Sequence, residues 1–326
     1  MKILITGITG FAGSHLADFL LEEQPQAEVH GLYRWRSRRE NIKQLAGKVS
    51  LQECDIRDAT ATREVVEDVR PDYIFHLAAQ SFVPTSWKAP QESLSTNLLG
   101  QLNIFEAVRK ADLDCRIQVA GSSEEYGMVY EGEIPITEDQ PLRPLSPYAV
   151  SKVAQDALAY QYFMSFGMKT IRTRGFNHTG PRRPSVFVCS DFARQVVEIE
   201  MGLRKNIIRV GNLDARRDFT DVRDTVRAYW LAISKGEPGE VYNVATGRSW
   251  AMSEVLDKLI KLAGVDVKIE VDPKRLRPSD VPRLEGDASR LCEATGWKPL
   301  IPFEQTLSDL IEFWRVQLPE CGSELP

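Results

Sequence analysis

Near its N-terminus the chain reads Gly7-Ile8-Thr9-Gly10-Phe11-Ala12-Gly13, three glycines spaced as GxxGxxG. The apolar run Ile3-Leu4-Ile5 before it predicts a buried strand, and the pattern from Ser14 to Glu23 predicts an amphipathic helix after it. Glycines allow the tight turn and the close backbone approach that a pyrophosphate needs, while the helix N-terminus supplies free N–H donors. A glycine-rich turn can be only a turn, but between a strand and a helix it predicts a nucleotide-binding loop.

Apolar runs and amphipathic stretches keep alternating as far as Arg174, which is typical of parallel strands joined by crossover helices. The predicted strands are Lys2–Thr6, Glu28–Tyr33, Ser50–Cys54, Tyr73–Leu77, Arg116–Ala120 and Lys169–Thr173. The predicted helices are Ser14–Glu23, Ala61–Val69, Leu94–Lys110 and Tyr148–Phe166. Right-handed crossovers place helices on both faces of such a sheet, and ligands bind beyond the carboxyl ends of its strands.

The pattern becomes irregular after Arg174, where Gly180-Pro181-Arg182-Arg183-Pro184 precedes a helix predicted at Asp191–Gly202. Gly239–Val244 again has the pattern of a buried strand, and we expect it to return to the first sheet. We therefore predict an α/β protein: a Rossmann-like, doubly wound parallel sheet with a smaller, discontinuous C-terminal substrate domain. The predicted domains are residues 1–177 with 218–245, and residues 178–217 with 246–326; the tail 319–326 is expected to fray.

Composition excludes several classes of protein. The chain has 326 residues, 43% of them hydrophobic and 27% charged, with a formal charge of −5, which is the balance of a globular protein. No run approaches the roughly 18 apolar residues of a spanning helix, and Met1-Lys2 leads directly into a strand, so we expect a cytoplasmic protein without a membrane partner. The acidic net charge argues against a nucleic-acid partner, although arginine clusters could hold small anions. Five dispersed cysteines without a CxxC pair predict free thiols and no metal site.

The segment after the second strand discriminates between the two nicotinamide cofactors. An NAD site carries an acidic residue there for the ribose hydroxyl, whereas this chain reads Tyr33-Arg34-Trp35-Arg36-Ser37-Arg38-Arg39. Guanidinium groups suit a 2′-phosphate, so we predict NADP(H), with NAD(H) as the alternative cofactor. A solvated basic face at a subunit contact is the other interpretation of this segment. The predicted contacts are Arg34, Arg36 and Ser37, followed by Asp55 and Ile56 at the adenine, although Asp55 could equally begin a turn.

A second constellation predicts acid/base chemistry. Tyr148 and Lys152 stand four residues apart, just inside a helix whose start Ser146 and Pro147 indicate. That spacing puts both side chains on one helix face, and an ammonium near a phenol lowers the phenol pKa, so Tyr148 is a candidate acid/base. The YxxxK pattern alone is common on protein surfaces. It gains weight from Ser122, in the loop after the fifth strand, which could donate a hydrogen bond to a substrate oxygen.

The order of GxxGxxG, Leu77-Ala78-Ala79-Gln80, the Ser122 loop and YxxxK resembles the extended short-chain dehydrogenase/reductase family, in its nucleotide-sugar branch. The resemblance covers nearly the whole chain. It implies oxidation or reduction at sugar C4 with Ser122, Tyr148 and Lys152 as the catalytic triad, in which Tyr148 moves the hydroxyl proton and Lys152 also bonds the nicotinamide ribose. Asn97 matches the family position near the active site. The remaining cofactor contacts that the resemblance implies are Gly7, Gly10, Phe11, Gly13, Leu77, Ala79 and Gln80.

Phe176–Arg183, Gly211–Asp218 and Arg277-Pro278 resemble substrate segments of enzymes that act on GDP-mannose and its 6-deoxy-4-keto derivative. The resemblance implies a GDP-sugar partner, with Arg217 and Arg277 on its diphosphate, where bidentate bonds fix position as well as affinity. Alternatively, Arg216 and Asp218 form an ion pair within the domain. His178 is expected to be a structural residue and not a metal ligand. The implied substrate contacts are Ser81, Ser122, Asn177, Arg182, Val188, Asn212, Arg217 and Arg277.

Two activities of this branch fit the residues. GDP-mannose 4,6-dehydratase oxidises C4, eliminates water across C5 and C6 and returns hydride to C6, and Glu124 matches the carboxylate that this elimination needs. GDP-6-deoxy-4-ketomannose reductase, which forms a GDP-6-deoxyhexose such as GDP-rhamnose, is more similar in Ser122–Gly127, Phe219–Asp224 and 277–282. We favour the dehydratase because of the basic cofactor segment and the need for a base.

Three further expectations accompany this choice. A non-catalytic NADP-sensing protein on the same fold is disfavoured by the intact triad. A GDP-linked heptose or another activated sugar also fits the residues. Relatives pair through helices that correspond to Leu94–Lys110 and Tyr148–Phe166, which implies a homodimer or homotetramer.

Overall fold

A computed structural model describes residues 1–276 and 281–322, the last four of these by their backbone alone. Its strands are β1 (Lys2–Thr6), β2 (Glu28–Tyr33), β3 (Ser50–Glu53), β4 (Tyr73–His76), β5 (Arg116–Ser122), β6 (Lys169–Gly175), β7 (Asn177–Thr179), β8 (Ile207–Val210), β9 (Arg216–Asp221), β10 (Val241–Val244), β11 (Ser249–Ala251), β12 (Lys268–Val271) and β13 (Arg283–Leu284). Its α-helices are α1 (Phe11–Glu23), α2 (Ala59–Val69), α3 (Val83–Lys88), α4 (Pro90–Leu94), α5 (Gly100–Lys110), α6 (Pro147–Phe166), α7 (Val188–Glu200), α8 (Val222–Lys235), α9 (Met252–Ala263), α10 (Ser289–Thr295) and α11 (Phe303–Gly322).

A parallel sheet with the order β10-β6-β5-β4-β1-β2-β3 forms the centre of the protein. Ile3, Leu4 and Ile5 in β1 are completely buried, because successive side chains of a strand point to opposite faces and helices cover both faces. Ile3 and Ile5 pack with α1 and α8, whereas Leu4 packs with α2, α5 and α6. This confirms the predicted doubly wound α/β fold.

The strand predicted at Gly239–Val244 is β10, and it pairs with β6 in parallel, Val241 opposite Arg172. The chain thus returns to the first sheet, as expected, after the segments that form β8 and β9. A separate apolar core lies among α7, α9 and α11, around Phe192, Leu256 and Leu307. The boundaries proposed between the two domains stay a prediction.

Several predicted elements differ from the observed ones in their bounds or regularity. β5 and β6 extend to Ser122 and Gly175, because their ladder continues to that pair. The helix predicted at Leu94–Lys110 is interrupted by a π-helical turn at Ser95–Leu99. The tail predicted to fray from Pro319 is helical to Gly322, and residues 323–326 lie outside the described residues. Within the described ranges, no helix has both the length and the apolar character to cross a bilayer.

Candidate active site

A cavity of about 1270 Å³ opens beyond the carboxyl ends of β1, β4 and β5 and extends to the region of β9. Parallel α/β sheets bind ligands at this edge. The cavity is larger than the roughly 300–1,000 Å³ of an ordinary small-molecule pocket, so it has room for a cofactor beside a substrate.

The glycine loop forms one wall of the cavity, and its close packing explains the glycines. Gly7 has a φ of +73°, and a Cβ there would lie 3.0 Å from the backbone of Ala78. A Cβ at Gly13 would lie 2.3 Å from the carbonyl oxygen of Gly7. The Thr6 hydroxyl accepts hydrogen bonds from the amides of Leu77 and Ala78 at 3.1 and 3.0 Å, which joins the end of β1 to the end of β4. Gly10, Phe11 and Gly13 line the cavity, so the start of α1 faces it as predicted.

The basic segment after β2 contributes Arg34 and Ser37 to the cavity wall. Arg36, predicted to join them, does not line the cavity: its guanidinium lies over the exposed Trp35 ring, 4.5 Å from the centroid. Asp55 and Ile56 both line the cavity. Asp55 also accepts hydrogen bonds from the Arg57 guanidinium, which lowers the pKa of its carboxyl, and it begins a turn. Its contact with the adenine stays a prediction.

The π-helical turn at Ser95–Leu99 places Asn97 behind the cavity wall. Its amide oxygen accepts from the backbone N–H of Gln80 at 2.8 Å, and its amide nitrogen donates to the Gln80 carbonyl and to the Ser151 hydroxyl. Asn97 thereby holds the β4 loop against α6. Leu77, Ala79, Gln80 and Ser81 line the cavity, in agreement with their predicted placement. π-helical turns often occur at functional sites. Here the turn accompanies the complete burial of Asn97, whose amide makes the hydrogen bonds described above.

The three residues of the predicted triad lie together. Ser146 caps α6 by accepting from the Ala149 amide at 3.1 Å, so Tyr148 and Lys152 occupy the first turns of this helix. Tyr148 hydrogen-bonds Ser122, which ends β5. The Lys152 ammonium lies 6.0 Å from the centre of the Tyr148 ring and donates to the Ala120 carbonyl at 2.8 Å. All three line the cavity.

The predicted lowering of the Tyr148 pKa is wrong for this arrangement. Burial raises the pKa of the phenol, and the nearby carboxylates of Glu124 and Glu125 act in the same direction, against the hydrogen bond from Ser122. Burial also lowers the pKa of Lys152, and its ammonium is directed at the Ala120 carbonyl. Desolvation of the phenol is thus the largest influence on its pKa.

Two adjacent carboxylates follow Ser122, but they occupy different environments. Glu124 is half-buried and lines the cavity, and its amide donates to the Ser122 hydroxyl at 3.2 Å. Glu125 is completely buried behind the turn, where it accepts from the Ser122 amide at 2.7 Å and pairs with Arg174 at 3.3 Å. Of the two, Glu124 is thus the carboxylate that a ligand in the cavity can reach.

Most of the predicted substrate residues reach the cavity. Asn177, Val188, Asn212 and Arg217 line it. Arg182 does not: with a φ of +69° it turns towards α1, where it pairs with Asp18 at 2.6 Å. The prediction for Arg182 is therefore wrong, because this arginine joins its own loop, which follows β7, to α1. Arg277 lies outside the described residues.

Arg183 lines the cavity in the place expected for Arg182, and it was not among the predicted site residues. Its guanidinium lies 3.6 Å from the ring centre of Phe187 and 4.9 Å from that of Phe11. Burial lowers its pKa to about 10, and none of the ion pairs within residues 1–276 and 281–322 involves it. Two adjacent arginines look alike in sequence, and the positive φ of Arg182 decides which of them faces the ligand.

Neighbouring groups have structural roles. The suggested pair of Arg216 and Asp218 is not formed; Arg216 pairs with Glu254 at 3.2 Å, while Asp218 accepts from the amide of Thr246 at 2.9 Å. His178 hydrogen-bonds the Phe176 carbonyl at 3.2 Å and stacks on Phe11. The Arg217 guanidinium donates to the Val281 carbonyl at 2.7 Å, which orients it at the cavity wall.

Comparison with known proteins agrees with this geometry. Residues 4–310 match the family model described as GDP-mannose 4,6 dehydratase. The chain is 33% identical over 320 residues to GDP-6-deoxy-D-mannose reductase of Pseudomonas aeruginosa, covering 98% of this chain and 99% of that one. It is 35% identical over 326 residues to GDP-mannose 4,6 dehydratase 1 of Arabidopsis thaliana, covering 95% of this chain and 88% of that one.

Among solved structures, RMD from Pseudomonas aeruginosa complexed with NADPH superposes with a TM-score of 0.85 at 32% identity, covering 98% of this chain and 100% of that one. The shared fold and the match along almost the whole chain place this protein in the GDP-mannose 4,6-dehydratase family, nucleotide-sugar enzymes of the extended short-chain dehydrogenase/reductase type.

Proposed function

We propose that this protein is an NADP-dependent GDP-mannose 4,6-dehydratase that forms GDP-4-keto-6-deoxymannose. The position of Glu124 carries the proposal, because this carboxylate lines the cavity in the same turn as Ser122 and close enough to Tyr148 to raise its pKa. Elimination across C5 and C6 needs such a group, since a ketone at C4 makes the C5 proton removable by a positioned base.

The residues of the cavity fit the cofactor. The glycine loop leaves no room for a Cβ at Gly7 or Gly13, as backbone that approaches a pyrophosphate requires, and Arg34 offers a guanidinium to a 2′-phosphate. NADP⁺, when bound, accepts the C4 hydride and supplies it later to C6. We expect NADPH to bind about 10- to 150-fold tighter than NADH, the range for one charge-assisted hydrogen bond. Fluorescence titration with each cofactor measures this ratio, and equal affinities would restore NAD(H) as the alternative.

The protein supplies the proton transfers. Once its phenol has released its own proton, Tyr148 takes the proton of the C4 hydroxyl while Ser122 donates a hydrogen bond to the same oxygen. Because burial favours the neutral phenol, Tyr148 needs a nearby positive charge to release its proton, and the Lys152 ammonium lies on the same helix face. Glu124 then removes the C5 proton and passes it to the C6 hydroxyl, which leaves as water. Tyr148 returns its proton to C5 once hydride has reached C6, so both residues end in their starting states. The net change is the loss of one water molecule.

Substrate binding is proposed to use two arginines of the cavity wall. Arg183 and Arg217 both line the cavity, and two guanidiniums can hold a diphosphate through paired hydrogen bonds. Asn177 and Ser81 also line the cavity and are proposed sugar contacts. These assignments replace Arg182 by Arg183.

The reductase is the second candidate, and one observation favours it. The reductase of Pseudomonas aeruginosa corresponds to this chain along 99% of its length, whereas the plant dehydratase is matched along 88%. A reductase would use Ser122, Tyr148 and Lys152 in the same positions and would not need Glu124 as a base.

One experiment separates the two. The enzyme receives GDP-mannose and catalytic NADP⁺ without a reductant, and the product is followed by NMR. Steady formation of a 6-deoxy-4-keto sugar supports the dehydratase. Absence of turnover, together with NADPH consumption on the ketosugar, establishes the reductase instead.

Glu124→Gln sharpens this test, with the exposed Glu131→Gln as the matched control. In a dehydratase the first variant should lose about 10²- to 10⁴-fold in turnover. It should still oxidise C4, so NADPH should accumulate in a single turnover. If Glu124→Gln retains the wild-type rate of elimination, Glu124 is not the base.

The assembly is proposed to be a homodimer, with a tetramer as the larger alternative. Apolar side chains remain exposed on the surface formed by α3, α4 and α6, where Trp87, Leu94 and Val150 line a shallow groove. Solvent-exposed apolar surface of this kind favours association. Sedimentation velocity measures the mass in solution. The cytoplasmic location stays a prediction.

A further inference from the structure

A buried charge pair flanks Gly121 at the end of β5. On one side the Lys152 ammonium donates to the carbonyl of Ala120 at 2.8 Å. On the other side the Glu125 carboxylate accepts from the amide of Ser122 at 2.7 Å. A Cβ at Gly121 would lie 2.5 Å from that carboxylate, so the missing side chain is what lets Glu125 reach this position. Lys152 is 4% exposed and Glu125 is completely buried.

The other groups around the pair leave Lys152 with one counter-charge. Arg174 on β6 pairs with Glu125 at 3.3 Å, but it also pairs with Asp156 of α6 at 3.0 Å. In the part of the chain that the structure describes, Glu125 is the carboxylate whose charge acts on Lys152. The further titratable groups that face the pair are Tyr126, Tyr148 and His76.

None of these three groups substitutes for the carboxylate. Burial holds the pKa of His76 at about 3, so its imidazole is neutral. Burial raises the pKa values of Tyr126 and Tyr148, so both phenols are neutral too. Asp156 is shared by Arg174 and by Arg172, which pairs with it at 2.7 Å. Burial raises the pKa of Glu125 to about 8, against the charge of Arg174 and the Ser122 amide, so its negative charge develops in the pH range in which Lys152 loses its proton.

We propose that Glu125 is a positioning residue that acts as the buried counter-charge of Lys152 and keeps its ammonium protonated in the active site. Its consequence for catalysis rests on the role proposed above for Lys152. The physical reason is that burial disfavours a lone ammonium, whereas an opposite charge inside the same low-dielectric region favours it. Burial lowers the pKa of Lys152 and the charge of Glu125 raises it, so removing that charge lets the ammonium lose its proton at lower pH.

Glu125→Gln isolates the charge from the shape. Glutamine has nearly the same size and keeps an oxygen that accepts from the Ser122 amide. Arg174 keeps Asp156 as a partner, so this guanidinium does not lose its last counter-charge. Asp156→Asn is the matched control, because it removes a buried charge from the same network while Glu125 stays in place.

The test measures the protonation of Lys152 directly. The protein is labelled with ¹³C-lysine, the Lys152 signal is assigned by its loss in Lys152→Arg, and its chemical shift is followed against pH without substrate. We expect the midpoint to fall by about 1–3 pH units in Glu125→Gln, the range for loss of one nearby opposite charge. Asp156→Asn should shift it less than half as far. An unchanged midpoint in Glu125→Gln, or an equal shift in both variants, overturns the inference.

Glu125→Asp provides a second variant, because it keeps the charge and shortens the side chain. Its Lys152 midpoint should stay near the wild-type value, and a fall as large as that in Glu125→Gln contradicts a counter-charge role. The pH profile of turnover then tests the catalytic consequence, since its alkaline limb should move to lower pH together with the NMR midpoint. If the midpoint moves and the limb does not, the counter-charge stands and the proposed role of Lys152 fails.

Discussion

Gly13→Ala tests whether the tight packing of the glycine loop is what makes the cofactor site. Gly13 lies inside α1, where alanine is intrinsically better than glycine by about 1 kcal/mol. Against this, the new Cβ would lie 2.3 Å from the Gly7 oxygen, about 1 Å closer than the 3.4 Å at which ordinary contact begins. The atoms it meets are all backbone, so the loop itself must move, and forced packing of this kind costs about 1–3 kcal/mol. The clash should therefore outweigh the gain in helix propensity.

A loop displaced by this amount can no longer direct its amides at a pyrophosphate. Losing one hydrogen bond to a charged group costs about 1.5–3 kcal/mol, which corresponds to about 10- to 150-fold in the NADPH dissociation constant. NADPH fluorescence titration measures that constant, and urea denaturation measures the accompanying loss of stability.

Gly47→Ala is the control for this prediction. Gly47 also has a positive φ, +75°, so alanine is strained there by about 1–2 kcal/mol, but no atom lies within 4 Å of the new Cβ. This variant should be destabilised and should bind NADPH normally. If Gly13→Ala binds NADPH within threefold of wild type, the argument from the close approach of Gly13 to Gly7 is refuted.

Two further predictions concern the arginines and α1. Arg183→Met should raise the KM for the nucleotide sugar about 10- to 150-fold, the range for one charge-assisted hydrogen bond, because it removes a cavity-facing cation. Arg182→Met should leave KM almost unchanged, since its partner is Asp18, and equal effects on KM would contradict the assignment. In His15→Gln, the free energy of unfolding should fall less between pH 7.5 and pH 5 than in wild type, by about 2 kcal/mol. Burial and the charge of Arg182 lower the pKa of His15 from 6.5 to about 4, so the stability that the neutral imidazole contributes is complete above pH 6.5 and is lost as the pH falls towards 4. Urea denaturation at both pH values measures the free energy of unfolding, and an equal loss in wild type and His15→Gln contradicts the prediction.

Local pattern accounts for most of the sheet. β1 and β2 have the predicted bounds, because a strand buried on both faces is a short, nearly continuous apolar run between turn signals. The interruption of the helix at Ser95–Leu99 could not be predicted. Its cause is the hydrogen bonding of Asn97 to Gln80 and Ser151, residues that are distant in sequence.

The residues of the candidate site also fall into those that a local motif predicts and those that depend on tertiary contacts. Residues whose role follows from a local motif, such as Gly7 and Tyr148, lie where the motif predicts. Arg182 and the pKa of Tyr148 were predicted wrongly, because each depends on groups brought close by folding: an aspartate on α1 and the desolvating walls of the cavity. Arg36 was also predicted wrongly, because its guanidinium lies on the ring of the adjacent Trp35 and away from the cavity wall.

The order of residues along the chain was sufficient for the fold class, for the tight glycine turn and for the placement of Tyr148 and Lys152 at the start of one helix, since each depends on backbone conformation or on spacing within one element. Which of two adjacent arginines faces the cavity was decided only in three dimensions, and so was the burial of Glu125 behind the turn that leaves Glu124 at the cavity wall. Glu125 pairs with Arg174 on β6, and Glu124 is left at the cavity wall. Arg182 pairs with Asp18 on α1, and Arg183 is left at the cavity wall. Burial then sets the charge states of Tyr148 and Lys152, because the free energy of an ionised group depends on the solvent and charges around it and not on its sequence neighbours.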